Sequence, residues 1–129
     1  MTGVQTCALP ILNLKIEVSQ TPSQNQIKHW WKLRNKTKQY TKELKNYGLI
    51  LKVGKLEIKK KRRLKITRYS TRLLDYGNLV GGCKPLLDAI KLSGLIVDDS
   101  PKWIEDKYFQ EKCQGGFERT EFIIEELEV

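Results

Sequence analysis

Residues 73–104 read LLDYGNLVGGCKPLLDAIKLSGLIVDDSPKWI, and the pattern in this stretch predicts the centre of the fold. Its middle part has apolar residues that recur every three to four positions, which predicts a helix with one face toward a core. The apolar triplet Leu95–Val97 then predicts a short buried strand. That strand would end at two adjacent carboxylates, Asp98 and Asp99.

The predicted helix has unusual residues near its start. Asn78 is a suitable N-cap, whereas Gly81 and Gly82 each cost about 1 kcal/mol relative to alanine inside a helix. A close approach of another backbone segment, or of nucleic acid, would explain the two glycines. Lys84 and Asp88 are four residues apart, a spacing at which an ion pair contributes about 0.2–0.5 kcal/mol. Lys84 is either half of that pair or an ammonium directed at a phosphate.

Carboxylates flank the helix on both sides. A preceding strand through Leu64, Ile66 and Tyr69 would bring Asp75 to its carboxyl end, and Asp98 or Asp99 would approach from the other side. Hard oxygen ligands of this kind suit Mg²⁺ or Mn²⁺. The alternative is that these aspartates cap helices and solvate turns, and composition alone does not choose between the two readings.

The chain before residue 73 is strongly basic. Residues 12–72 hold 18 Lys/Arg against 3 Asp/Glu, whereas residues 73–129 hold 6 against 12. The net charge of +9 is therefore the sum of a basic first part and an acidic second part. A basic region beside an acidic cluster is typical of polyanion-binding proteins in which cations bridge the two. A solvated basic face without a partner is the alternative. The candidate DNA-contacting residues are Lys28, Lys32, Arg34, Lys36, Lys59, Lys60, Lys61, Arg62 and Arg63.

Three patterns describe the basic half. Alternation over Leu12–Val18 predicts a half-buried strand. The segment Gln26–Asn46 predicts a basic amphipathic helix whose aromatic residues, Trp30 or Trp31 among them, face the core, with base stacking as the alternative. The block Lys59–Arg63 is compatible with a mobile loop, an edge-strand guard or a phosphate-contacting arm.

The C-terminal part predicts further strands. A strand or short helix is expected around Trp103–Phe109, followed by a turn at Gly115–Gly116. Thr120–Leu127 predicts a strand with Phe122 and Ile124 on one face, and Glu125, Glu126 and Glu128 are expected to solvate its edge. The predicted fold is therefore a single mixed α/β domain over residues 12–129, with a short mixed sheet and two principal helices.

Composition excludes several classes of protein. The sequence has no apolar run long enough to cross a membrane, and its cysteines lack the spacing of a zinc site. Residues 1–11, MTGVQTCALPI, have no charge or amphipathic period and resemble a translated sequencing adapter. We expect them to be a non-native leader.

Three linked blocks within residues 75–99 resemble one protein family. They are Asp75–Leu79 (DYGNL), Lys84–Ile90 (KPLLDAI) and Gly94–Asp99 (GLIVDD), and upstream Pro22–Asn25 (PSQN) resembles a turn near that family's start. The family is the RusA family of Holliday junction resolvases, small endonucleases of phage or prophage origin. The resemblance covers most of residues 12–104.

The resemblance implies a function and a set of site residues. Asp75 and Asp99 fall on metal-binding acidic positions, Lys84 on the catalytic lysine, and Gly77 stands where the family pattern has its second aspartate. Asp98, Asp88 or water would complete the ligand set. The resemblance implies a Mg²⁺-dependent endonuclease that acts as a homodimer on four-way DNA junctions in the cytoplasm of a bacterial host. A catalytically inactive junction binder, or a non-enzymatic interaction protein, is the alternative.

Overall fold

The computed structural model of the chain describes residues 10–48, 52, 54–55 and 59–127. Most of the proposed leader, residues 1–9, therefore lies outside the described residues, while β1 begins at Pro10. The elements are β1 (Pro10–Val18), a short 3₁₀ helix (Gln24–Ile27), α1 (Trp30–Lys45), β2 (Arg62–Ser70), α2 (Tyr76–Gly82), α3 (Lys84–Leu92), β3 (Ile104–Lys112) and β4 (Arg119–Leu127).

A four-stranded mixed sheet forms the framework. Its strand order is β1-β4-β2-β3. β4 pairs antiparallel with both β1 and β2, whereas β2 and β3 are parallel. The parallel pair requires a crossover, which α2 and α3 provide. The mixed α/β class and the single small domain are confirmed.

The core lies between one face of the sheet and the helices. Every second residue of β2 is buried, as the alternating side-chain direction of a strand requires. Leu64 and Ile66 join a single apolar cluster with Phe122 and Ile124 of β4. Tyr40 and Leu44 of α1 and the buried face of α3 cover this cluster.

Ion pairs cover much of the opposite sheet face. Lys65 lies 3.1 Å from Glu125 on the neighbouring strand, and Lys15 lies 3.4 Å from Glu121. Arg62, at the start of β2, lies instead on the core side of the sheet, where it is buried and bonds to Glu126 at 2.9 Å. The expectation that Glu125 and Glu126 solvate an edge is wrong, because β4 is an interior strand and both glutamates are buried. Glu128 lies outside the described residues.

The crossover differs from the predicted single helix. It consists of two short helices that meet at Cys83, and the N-cap of the first is Asp75 rather than Asn78. An Asp75 carboxylate oxygen accepts the backbone N–H of Asn78 at 2.8 Å. Leu95 and Ile96 are buried as expected, but the segment to Val97 is a series of bends without strand pairing.

Two further expectations for α1 change in the structure. Trp30 and Trp31 do not enter the core, since their exposed fractions are 70% and 48%. The region before α1 is a separate 3₁₀ helix, so α1 begins at Trp30 instead of Gln26. No helix in the described part of the chain is both long and apolar enough to span a membrane.

Candidate functional site

Lys84 joins two carboxylates at the start of α3. Its ammonium lies 3.2 Å from Oδ1 of Asp88, which confirms the predicted pair, and 3.0 Å from Oδ2 of Asp99. Asp88 and Asp99 therefore share one cation although they are on different segments. The Lys84 side chain is half exposed, so this cluster is open to a ligand.

The electrostatics keep Lys84 charged. Its hydrogen bond to Asp99 is the largest contribution raising the pKa of Lys84 above its ordinary value, and the hydrogen bond to Asp88 adds to this against the opposing effect of desolvation. An amine with a raised pKa holds its proton at neutral pH. Lys84 is therefore a hydrogen-bond donor and a positive charge, not a base.

Asp98 and Asp75 have other partners. Asp98 pairs with Lys91 at 3.0 Å, and that hydrogen bond is the main reason its pKa is lowered. Asp75 bonds to the backbone and side chain of Asn78 at 2.8 and 3.0 Å. Within residues 10–48, 52, 54–55 and 59–127, no three His, Cys, Asp or Glu side chains are grouped to hold one metal ion. The expected set of Asp75, Asp98 and Asp99 is thus not assembled.

Gly77 occupies an open position. A Cβ placed there would meet only Oδ1 of Asp75, at 3.7 Å. A Cβ therefore fits at residue 77, so steric crowding is not the reason why this position lacks a carboxylate.

The two glycines of α2 have a structural reason. A Cβ on Gly82 would lie 1.8 Å from the backbone oxygen of Pro22, and one on Gly81 would lie 2.5 Å from the side chain of Gln24. Close backbone approach, one of the two explanations expected for these glycines, is confirmed for Gly82. The turn around Pro22 is thereby held directly against α2.

A groove lies beside Lys84, next to this contact. The groove has a volume of about 630 Å³. The residues around it come from the 3₁₀ helix, the link to α1, α1 itself and the crossover, and they are Gln24, Asn25, Ile27, Lys28, Leu33, Gly81 and Lys84. Sequence reasoning named Lys28 and Lys84 but did not predict that they share a groove.

The two groups of candidate DNA-contacting residues differ in their partners. Lys28, Lys32, Arg34 and Lys36 are at least partly exposed, and none of them makes an ion pair with another residue of the described ranges.

Much of the block Lys59–Arg63 is instead structural. Lys60 and Arg62 bind Glu126, and Arg63 lies 3.6 Å from Glu105. Arg62 is 5% exposed, so the expectation that it contacts DNA is wrong. Lys59 and Lys61 remain exposed next to β2.

Comparison with known proteins does not identify a family for this chain. Neither the models of known protein families nor the curated proteins contain a match to the chain.

Proposed function

We propose that the protein is a metal-dependent endonuclease that cuts branched DNA, with four-way junctions as its substrate. The observation that carries this proposal is the Lys84 cluster, in which two carboxylates and one ammonium lie together at the edge of a groove. The resemblance of residues 75–99 to the RusA family supports the same reading.

Two carboxylates suit the implied ion. Mg²⁺ in nucleases is held by one or two carboxylates together with waters and substrate phosphates, and therefore does not need an all-protein cage. Asp88 and Asp99 are the residues that would hold it. Mn²⁺ would suit the same oxygen ligands. Bound there, the ion would polarise a phosphodiester and lower the pKa of a water molecule.

The side chains of the cluster have separate roles. Lys84 donates to a phosphoryl oxygen and stabilises the negative charge that develops on it, as its retained proton allows. Asp99 and Asp88 orient Lys84 by accepting from its ammonium. Lys28, in the same groove, supports the neighbouring phosphates.

The basic face of α1 supports the choice of a nucleic acid. Its cations make no ion pair with another described residue, so they can neutralise DNA phosphates without first losing a protein carboxylate, which favours binding. Symmetric cutting of a four-way junction requires two active sites, so we propose a homodimer that works in the cytoplasm of a bacterial host and is encoded by a phage or prophage.

The test is cleavage of a synthetic four-way DNA junction by the full chain with Mg²⁺. The wild-type protein should produce paired nicks that a chelator abolishes, and both Lys84→Ala and Asp99→Asn should reduce cleavage by about a hundredfold or more. Asp106→Asn is a matched control, since Asp106 is an exposed carboxylate of β3.

A junction-binding protein without activity is the second candidate. Gly77, where the family pattern has an aspartate, favours it. Tight junction binding with no nicks in either Mg²⁺ or Mn²⁺ would reject the nuclease and support this candidate.

A further inference from the structure

A second groove lies along α1, outside the Lys84 cluster. It has a volume of about 590 Å³ and runs between the first half of α1 and the segment 20–27. This volume is within the range of small-ligand sites. The residues that give the groove its chemistry are Gln26, Trp31, Lys32, Asn35, Lys36 and Gln39.

An aromatic surface forms one part of this groove. The indole of Trp31 is 48% exposed, and the His29 ring lies nearly parallel to it, with centroids 6.2 Å apart and an interplanar angle of 13°. The ammonium of Lys32 lies 5.4 Å from the Trp31 ring centroid. Exposed aromatic rings beside lysines are typical of surfaces that stack single-stranded bases.

Positive charge surrounds the same groove. Lys32 and Lys36 have no carboxylate partner within the part of the chain that the structure describes. Behind the groove wall, the buried guanidinium of Arg68 donates to the Thr21 backbone oxygen at 2.7 Å, and its Nη1 has no hydrogen-bond partner among the described residues. Thr21 lines the groove, so the uncompensated charge of Arg68 favours an anion there.

The two grooves are neighbours. Ile27 lines both of them, and the 3₁₀ helix Gln24–Ile27 separates the Lys84 side from the Trp31 side. A DNA strand that passes Lys84 can therefore continue past Lys28 to Trp31.

We propose that the Trp31 groove binds one unpaired nucleotide of a DNA strand, with the base against Trp31 and the phosphate beside Lys32 and Lys36. The amides of Gln26 and Asn35 offer donors and acceptors to a base edge. This inference rests on the proposed function and adds that one nucleotide of the junction, close to the cleaved phosphate, is unpaired in the complex.

Binding without cleavage tests the inference separately from the nuclease activity. Fluorescence anisotropy in the presence of a chelator would compare a short oligothymidylate with an abasic strand of equal length and charge. The wild-type chain should prefer the oligothymidylate by about tenfold or more, and Trp31→Ala should lose that preference. Trp31→Phe should recover most of it. The matched control is Trp30→Ala, which removes an exposed indole that does not line the groove.

A direct signal comes from a variant in which Trp31 is the only tryptophan, with Trp30 and Trp103 replaced by phenylalanine. Its emission should be quenched by the oligothymidylate and not by the abasic strand. Equal affinity for the two strands, or equal effects of Trp31→Ala and Trp30→Ala, would overturn the inference. Base-dependent binding without junction cleavage would support the groove and reject the nuclease; cleavage without base-dependent binding would do the reverse.

Discussion

The backbone oxygen of Pro22 lies 1.8 Å from the point where a Cβ on Gly82 would stand. The turn before α1 and the crossover helix α2 are therefore in backbone contact, and only glycine allows it. This contact places Lys28 and Lys84 around one groove.

Gly82→Ala should destabilise the protein. The added methyl group meets backbone atoms that cannot rotate away, so the turn must shift, at a cost of about 1–3 kcal/mol or more. Urea denaturation measures the loss. Gly115→Ala is the control, because nothing lies within 4 Å of its added Cβ, and equal stability of the two variants would contradict the contact.

Glu126 should make folding sensitive to acid. The hydrogen bond from Lys60 is the largest cause that holds the pKa of Glu126 below its ordinary value of 4.5, and Arg62 adds to it while burial opposes. A depressed folded pKa means that the ionised carboxylate stabilises the protein above pH 4.5, and that this stability is lost as the pH falls through the folded pKa.

Glu126→Gln should lower the unfolding free energy at pH 7 by about 2–3 kcal/mol, since Arg62 stays buried without its partner. The variant should also show a shallower loss of stability below pH 4.5 in urea titrations. Glu105→Gln, which affects only a surface pair, should cost at most about 1 kcal/mol. If the unfolding free energies of wild type and Glu126→Gln fell in parallel below pH 4.5, Glu126 would not be the source of this acid sensitivity.

Cys83 should resist alkylation in the folded protein. Burial raises the pKa of its thiol from 9.0 to about 12, and the reactive thiolate at pH 8 falls about a thousandfold. Iodoacetamide followed by peptide mass spectrometry should label Cys113, which is only partly buried. Cys83 should become labelled after unfolding, and fast labelling of native Cys83 would show that the helix junction opens.

The cations Lys28 and Lys32, which make no ion pair with another described residue, should set the salt dependence of DNA binding. If each neutralises one duplex phosphate, removing both should reduce the slope of log K against log salt by about 1.8. The double variant Lys15→Ala/Lys65→Ala is a control for total charge, because these lysines pair with glutamates on the other face of the sheet. An unchanged slope for the Lys28/Lys32 variant would place DNA elsewhere.

Gly77→Asp would supply, beside Asp75, the carboxylate that the resembled family pattern has at this position. The position has room, so the fold should be retained. If the nuclease proposal holds, the Mg²⁺ concentration for half-maximal cleavage should fall by about tenfold, since ligand charge tunes affinity for hard cations. Gly115→Asp adds the same charge in the turn between β3 and β4, where nothing lies within 4 Å of the added Cβ. No difference between the two variants would remove residue 77 from the metal site.

Local patterns predicted the elements whose cause is local. The period of two over Leu12–Val18 and Thr120–Leu127 matches strands with one buried face, and the spacing of Lys84 and Asp88 gave their ion pair. The prediction of a strand at Leu95–Val97 was wrong because an apolar triplet can be buried without pairing in a sheet. Asp75 and Asn78 are both good caps, and sequence does not reveal which one the helix uses.

Long-range partners explain the remaining differences. Arg62 belongs to a block of charged residues, which predicts a solvent-exposed side chain. Its carboxylate partner, Glu126, follows 64 residues later and becomes a neighbour only through the order of strands in the sheet. The resemblance to a family implies a role for Lys84, and the glycine pair predicts a close approach at Gly82. The partner in that contact, Pro22, lies 60 residues earlier, and a single sequence does not identify it.

The position of β4 also governs how the chain can fold during synthesis. This strand, residues 119–127, lies between β1 and β2, and Pro10 pairs with Leu127. On the ribosome, β1 therefore waits without its neighbour until β4 has left the exit tunnel. The β2 and β3 pair forms earlier but keeps one side open for the same interval. Chaperones that shield unpaired strands would act on this protein until β4 inserts between β1 and β2.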